Sequence, residues 1–188
     1  MIGYALCGSF CTFAKSIEIM KSLVAEGYEL QPIMSYHASQ IDTRFGKAAD
    51  FIETITAICG KPPILTIEDA EPLGPKIPLE ALVISPCTGN TLAKLATGIT
   101  DTPVTMAAKA HLRRSRPLLI ALASNDAMSA NLKNISLLLE KKSVFFVPML
   151  QDDPENKPHS LAAEFNLLNS SLSCALNNSQ LRPLFRER

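Results

Sequence analysis

The segment SPCTGNTLAKLATGITDTP, from Ser85 to Pro103, follows a short apolar run, Ala81-Leu82-Val83-Ile84. Its first half offers Pro86, Cys87, Thr88, Gly89, Asn90 and Thr91 at the exit of a buried strand. Short side chains there let a ligand lie close to the backbone, while hydroxyls and amides satisfy its polar atoms. Three other strand exits have the same character. Cys7-Gly8-Ser9-Phe10-Cys11-Thr12 follows the first apolar run, Ser35-Tyr36-His37-Ala38-Ser39 the second, and Ala123-Ser124-Asn125-Asp126 a later one. Gly8 allows a tight turn, Ser9 offers an N–H and a hydroxyl, and a helix start behind them favours an anion. GSFCTF lacks the second and third glycines of the dinucleotide fingerprint, so a single phosphate suits it better than a pyrophosphate. The same residues also read as an ordinary glycine turn with Ser9 as helix cap. Four such exits on one sheet edge imply a planar, polar-edged ligand bearing a phosphate.

Groups that could move protons or hold a carboxylate lie beside these exits. His37 reads either as a surface loop residue or as a proton donor near the ligand, because imidazole titrates near neutrality. In Asp42-Thr43-Arg44-Phe45-Gly46, Arg44 could fork onto a substrate carboxylate while Phe45 covers the ligand face. Alternatively Asp42 or Thr43 caps the next helix and Arg44 is exposed. Asn125 and Asp126 are further candidates for substrate contact. His111, beside Lys109, Arg113 and Arg114, reads as part of a solvated face or a contact between subunits, or as a cationic lure for a dicarboxylate. His159 reads as a helix-start residue. The five cysteines, Cys7, Cys11, Cys59, Cys87 and Cys174, complete no zinc set and, being odd in number, no disulfide framework. Small buried thiols are the expected reading, and no metal is expected. Cys87 could have its pKa lowered by a helix N-terminus, or it could simply pack.

These residues must be positioned by alternating elements. Strands are expected over 1–7, 29–35, 64–67, 81–85, 118–123 and 144–149. Helices are expected over 14–26, 45–58, 90–96, 103–114, 128–142 and 159–177, with Gly27 and Gly60 ending the first two. The prolines and Gly74 of EDAEPLGPKIP exclude helix there. Val104, Ala107 and Ala108 form a small-residue face suited to a contact between subunits or to the chain's own sheet. Apolar strands alternating with helices imply an α/β fold: a three-layer, doubly wound parallel sheet of Rossmann-like or flavodoxin-like type. The 188 residues make one domain, 1–188, with a C-terminal helix and short tail from about 157; the tail LRPLFRER is loosely ordered or used in assembly. With 18 basic and 18 acidic residues the charge balances, which argues against a nucleic-acid partner. No apolar run reaches the roughly 18 residues a bilayer needs, and MIGYALCGSF has no basic leader, so the expected location is cytoplasmic.

GSF, PCTGNTLAKLATGITD and ASND together resemble the flavoprotein superfamily of FMN-dependent cysteine decarboxylases over about residues 1–150. Pro86, Asn90, Thr91, Leu92, Ala93, Lys94, Ala96, Gly98, Ile99 and Asp101 match that family's middle motif. The stretches SYHASQIDTRFGKA, IEDAEPLGPK, SPCTGNTLAKLATGITDTPVTMAAKAHLRRSRP and VPMLQDDPENKPHSL are similar, over nearly the whole chain, to the B-subunit family of dipicolinate synthase. This resemblance implies FMN held by Gly8, Ser9, Phe10, Ser35, Pro86, Cys87, Thr88, Gly89, Asn90, Thr91, Ser124 and Asn125. It implies a dicarboxylate substrate met by Arg44, Asn125 and Asp126, with His37 catalytic. It further implies an A subunit carrying NADP or NAD, self-association to a trimer or dodecamer, and work in the mother cell of a sporulating bacterium. The decarboxylases place a catalytic His shortly before the fourth strand. EDAEPLGPKIPLEA contains none, and ASNDAM does not keep their fifth-strand clamp, which argues against cysteine decarboxylation.

Overall fold

The computed structural model describes residues 1–187; the last residue of the tail, Arg188, lies outside the described residues. The central sheet takes β1 (Ile2–Leu6), β2 (Leu30–Met34), β3 (Ala81–Cys87), β4 (Leu118–Ser124) and β5 (Val144–Phe146) as parallel strands, ordered β2-β1-β3-β4-β5. This is the flavodoxin-like order, in which the chain reverses direction of winding between β1 and β3. The strands are mostly apolar because both faces are covered. Ile2, Tyr4 and Leu6 point to one face, where they pack with α1 (Phe13–Ala25), α3 (Ala48–Cys59) and α8 (Leu168–Leu176). Ala5, Cys7, Leu82 and Ile84 point to the other, against α4 (Ile67–Ala70), α5 (Gly89–Thr97), α6 (Pro103–Leu112) and α7 (Leu132–Leu139). Three layers follow from this alternation of period two.

Val104, Ala107 and Ala108 are fully buried against the sheet, so the small face of α6 packs on its own core. Gly60 ends α3 in the left-handed conformation with φ 69°, as expected of a glycine cap.

Several elements differ from the sequence reading. The strand expected at 64–67 reduces to one bridge, Ile33 to Ile64. Thr66 accepts a hydrogen bond from the Asp69 N–H and starts α4, so the cap wins over the prolines that follow. The helix expected from residue 128 starts at Leu132, because a turn built on Asp126 and Asn131 occupies its first residues. The helix expected from His159 is a strand followed by a helical turn: β7 (Leu161–Ala163) precedes α8, and His159 starts no helix. The sheet is therefore not wholly parallel. Val147 still bonds Ile120, after which the chain turns away into β6 (Met149–Leu150), and β7 inserts antiparallel between β4 and β6. Leu184 and Arg186 of the tail are held in place: the Leu184 carbonyl accepts from the Met149 N–H and the Arg186 N–H donates to the Met149 carbonyl.

Candidate functional site

Parallel strands leave their carboxyl ends open where the winding reverses, and a crevice forms there. In this chain the crevice is a cavity of about 320 Å³ lined by Gly8, Ser35, Tyr36, His37, Thr88, Asn90, Thr91, Lys94, Asp101 and Thr102. Gly8 follows β1, Ser35 follows β2 and Thr88 follows β3, so three of the four strand exits meet.

Each exit has a local reason for its shape. A Cβ on Gly8 would lie 3.3 Å from His37 Cβ and 3.5 Å from the Phe10 ring, so Gly8 permits a close crossing of two loops. Ser35 donates its N–H to the Leu6 carbonyl and accepts at its hydroxyl from Ala38. That cap starts α2 (Tyr36–Gln40), a short helix where a loop is expected from sequence. Thr88 accepts from the Thr91 N–H and starts α5, whose first turn faces the cavity through Asn90 and Thr91. The Thr91 hydroxyl in turn donates to the Cys7 sulfur at 3.3 Å. Elsewhere at these strands the Tyr4 hydroxyl bonds the Ser16 carbonyl at 3.0 Å, and the Ser16 hydroxyl reaches the Ser85 carbonyl. Burial pushes the Tyr4 phenol up to about 12, with hydrogen bonds from Ser16 and Ser85 partly opposing it. These three residues form a buried, uncharged hydrogen-bonded chain between β1, α1 and β3.

The structure divides the expected site residues. Gly8, Ser35, His37, Thr88, Asn90 and Thr91 line the cavity. Ser9 and Phe10 do not: Ser9 accepts from Thr12 at its carbonyl, and the Phe10 ring lies 5.1 Å from that of Phe13. Pro86 and Cys87 are buried in β3, and burial pushes the Cys87 thiol well above its ordinary value, the packing alternative for this residue. Gly89 is also buried and faces the fourth exit. Ser124, Asn125 and Asp126 lie outside the cavity lining. Ser124 and Asn131 both donate to the Asp126 carboxylate, and a Cβ on Gly89 would meet all three side chains within 2.7 Å. The fourth exit therefore packs against α5 as a polar knot, and the hydrogen bonds from Ser124 and Asn131 hold Asp126 below the usual carboxylate range.

Arg44 is exposed at the tip of a turn closed by Thr43 and Gly46, its guanidinium 4.9 Å from the Phe45 ring centre. Asp42 accepts from the Ala48 N–H at the start of α3, the capping alternative for this stretch. His111 is fully buried, which overturns the solvated-face reading. Its Nε2 donates to the Pro117 carbonyl at 3.0 Å, and burial lowers its pKa.

Four residues of the cavity lining escape the sequence reading of the site: Tyr36, Lys94, Asp101 and Thr102. Tyr36 stands between Ser35 and His37, both expected there. Lys94 follows Asn90 by one helical turn, and that spacing alone places it on the same face. Asp101 and Thr102 arrive from the loop before α6, where Thr102 and Thr105 form a reciprocal capping box. Among the described residues no group of His, Cys, Asp and Glu is placed to hold a metal ion, and no helix is long and apolar enough to cross a membrane.

A β2-β1-β3-β4-β5 sheet with a hydroxyl-lined crevice at its switch point is a scaffold for a phosphate-bearing cofactor. The chain belongs to the Flavoprotein family, whose model matches residues 1–164, and within it to the group formed by the B subunits of dipicolinate synthases. It is 42% identical over 186 residues to the dipicolinate synthase B subunit of Bacillus subtilis (strain 168), covering 99% of this chain and 93% of that one. The crystal structure of the dipicolinate synthase B subunit from Bacillus halodurans C superposes with a TM-score of 0.91 at 37% identity, covering 100% of this chain and 96% of that one. The FMN-dependent cysteine decarboxylase SpaF superposes with a TM-score of 0.70 at 25% identity, covering 94% of each chain.

Proposed function

We propose that the chain, taken as one domain over 1–188, is the flavin-binding subunit of a dipicolinate synthase. In this reading it acts with a nicotinamide-dependent A subunit, carrying NADP or NAD, to oxidise a dihydro- or hydroxytetrahydro-dipicolinate to dipicolinate during sporulation, in the mother-cell cytoplasm. The observation that carries it is the switch-point cavity where Gly8, Ser35, Thr88 and Thr91 meet. These residues fit FMN. Gly8 leaves room for close backbone approach, and the hydroxyl rim with the first amides of α5 suits a phosphate and polar ring edges.

Gly8, Ser35, Thr88, Asn90 and Thr91 would hold the cofactor. When bound, the flavin supplies an acceptor for two electrons. The chain's own residues do the rest. The buried hydrogen bonds among Tyr4, Ser16 and Ser85 tie α1 to β1 and β3 near the strand ends. His37, exposed and on the cavity wall, is placed to exchange a proton at an imidazole nitrogen with a ligand there. The open side is where a second copy or the A subunit would cover the ligand, in keeping with assembly to a trimer or dodecamer. The absence of a His from EDAEPLGPKIPLEA speaks against the alternative of cysteine decarboxylation.

The test is a visible absorption spectrum after adding FMN and desalting, with and without the A subunit. Retained flavin, lost on Gly8→Val and on Thr88→Val, is the expected result. Loss of flavin even with the A subunit present would favour a non-catalytic scaffold.

A further inference from the structure

The cavity wall carries one cation and one anion among the described residues, Lys94 and Asp101, and they are bound to each other. Lys94 Nζ donates to Asp101 Oδ1 and to Asp101 Oδ2, each at 2.8 Å. An ammonium has three donors; the third meets no acceptor among the described residues. The Lys94 side chain is 21% exposed and that of Asp101 55%, so the cation is the sheltered member and the carboxylate the outer one. Lys94 follows Asn90 by one turn, which sets an amide and an ammonium side by side on the cavity face of α5. The turn that ends α5 is held without the pair, because the Ile99 N–H donates to the Lys94 carbonyl at 2.9 Å.

We propose that Lys94 is the carboxylate-binding residue of this cavity, and that Asp101 is a built-in stand-in holding the ammonium on the cavity wall until a ligand carboxylate takes its place. A carboxylate presents two oxygens to one cation in the arrangement Asp101 already shows. Exchanging one for the other returns Asp101 to water, where its exposure makes solvation cheap, and keeps Lys94 paired throughout. The ligand class is a small planar dicarboxylate, with one carboxylate on Lys94 and its ring edge near Asn90, Thr102 and His37. This rests on the reading of the cavity as a dicarboxylate site.

The experiment uses the full chain saturated with FMN and titrated calorimetrically with pyridine-2,6-dicarboxylate, for wild type, Lys94→Met, Lys94→Arg and Asp101→Asn. Circular dichroism checks each fold and absorbance each flavin content. Lys94→Met is expected to weaken binding roughly tenfold or more, the scale of a lost charged hydrogen bond. Lys94→Arg should recover most of it. Asp101→Asn should bind as tightly as wild type or tighter, since the competitor has lost its charge. A pair that merely staples helix to loop predicts something else: Lys94→Met and Asp101→Asn would then weaken binding alike, and that result overturns the proposal. Equal binding by Lys94→Met and wild type also overturns it, as does loss of FMN rather than of dicarboxylate from Lys94→Met. If the wild type itself binds no pyridine-2,6-dicarboxylate, with or without FMN, the dicarboxylate reading falls and takes this proposal with it.

Discussion

The Thr91 hydroxyl donates to the Cys7 sulfur at 3.3 Å, joining the first turn of α5 to the end of β1 across the switch point. Desolvation raises Cys7 to about 11, and the hydrogen bond from Thr91 opposes that only in part. Cys7 is therefore an uncharged acceptor that fixes the Thr91 rotamer.

This makes thiol reactivity a reporter of burial at the end of β1 and in β3. At pH 8 the raised pKa leaves Cys7 with a thiolate fraction about a hundredfold below that of an ordinary cysteine. With a chromogenic disulfide reagent, exposed Cys11 is expected to react first, while Cys7 and Cys87 react only on unfolding. Thr91→Val should keep both thiols buried yet lower flavin retention.

Gly89→Ala is expected to destabilise the fold by about 1–3 kcal/mol, the scale of overpacking a filled site. The new methyl group would collide with the Ser124 hydroxyl, the Asn131 amide and the Asp126 carboxylate together. Urea unfolding of the variant against wild type reads the loss. Gly98→Ala is a control in open space, strained only by its φ of 77°.

Asp126 sets one limb of the acid response. Its folded pKa lies below the unfolded value near 3.8, so the ionised form is favoured by folding. The resulting stability is present above that value and lost as pH falls through the folded pKa. Asp126→Asn should therefore be less stable than wild type at pH 7, and the gap should close below about pH 4. Unfolding curves at pH 7, 5 and 3 follow it.

His111 sets the other limb. Burial lowers its folded pKa below 6.5, and Nδ1 has no hydrogen-bond partner among the described residues. The unfolded chain then binds the proton first, so stability falls as pH drops below about 6.5 and the loss is complete below the folded pKa. His111→Gln is expected to flatten the melting temperature between pH 7.5 and 5, even if it starts lower.

The parts of the fold visible in the sequence are those with long apolar runs or a decisive cap. Leu118 to Ala123 and Ala81 to Ile84 can hardly be anything but buried strands, and Gly60 marks a helix end. The misses are short elements decided by one polar contact. Ser35 capping onto Ala38 makes α2 out of a hydroxyl-rich loop, and β7 is too short to show a period. The candidate site is legible as far as strand exits go, because those are consecutive residues. The retreat of Ser124 and Asp126 into a knot with Asn131 depends on packing against Gly89, and no spacing announces that. Lys94 is readable from helical periodicity once Asn90 is chosen.

The tail beside Met149 has a consequence for the chain as a building block. Leu184 to Arg186 sheathe the free border of β6, and the Glu164 carboxylate clasps Arg186. A chain cut before Leu184 would offer Met149 as an uncovered border, open to any extended peptide that could lie along it. A tag fused after the tail instead leaves that sheath in place, on the border of the sheet opposite β2.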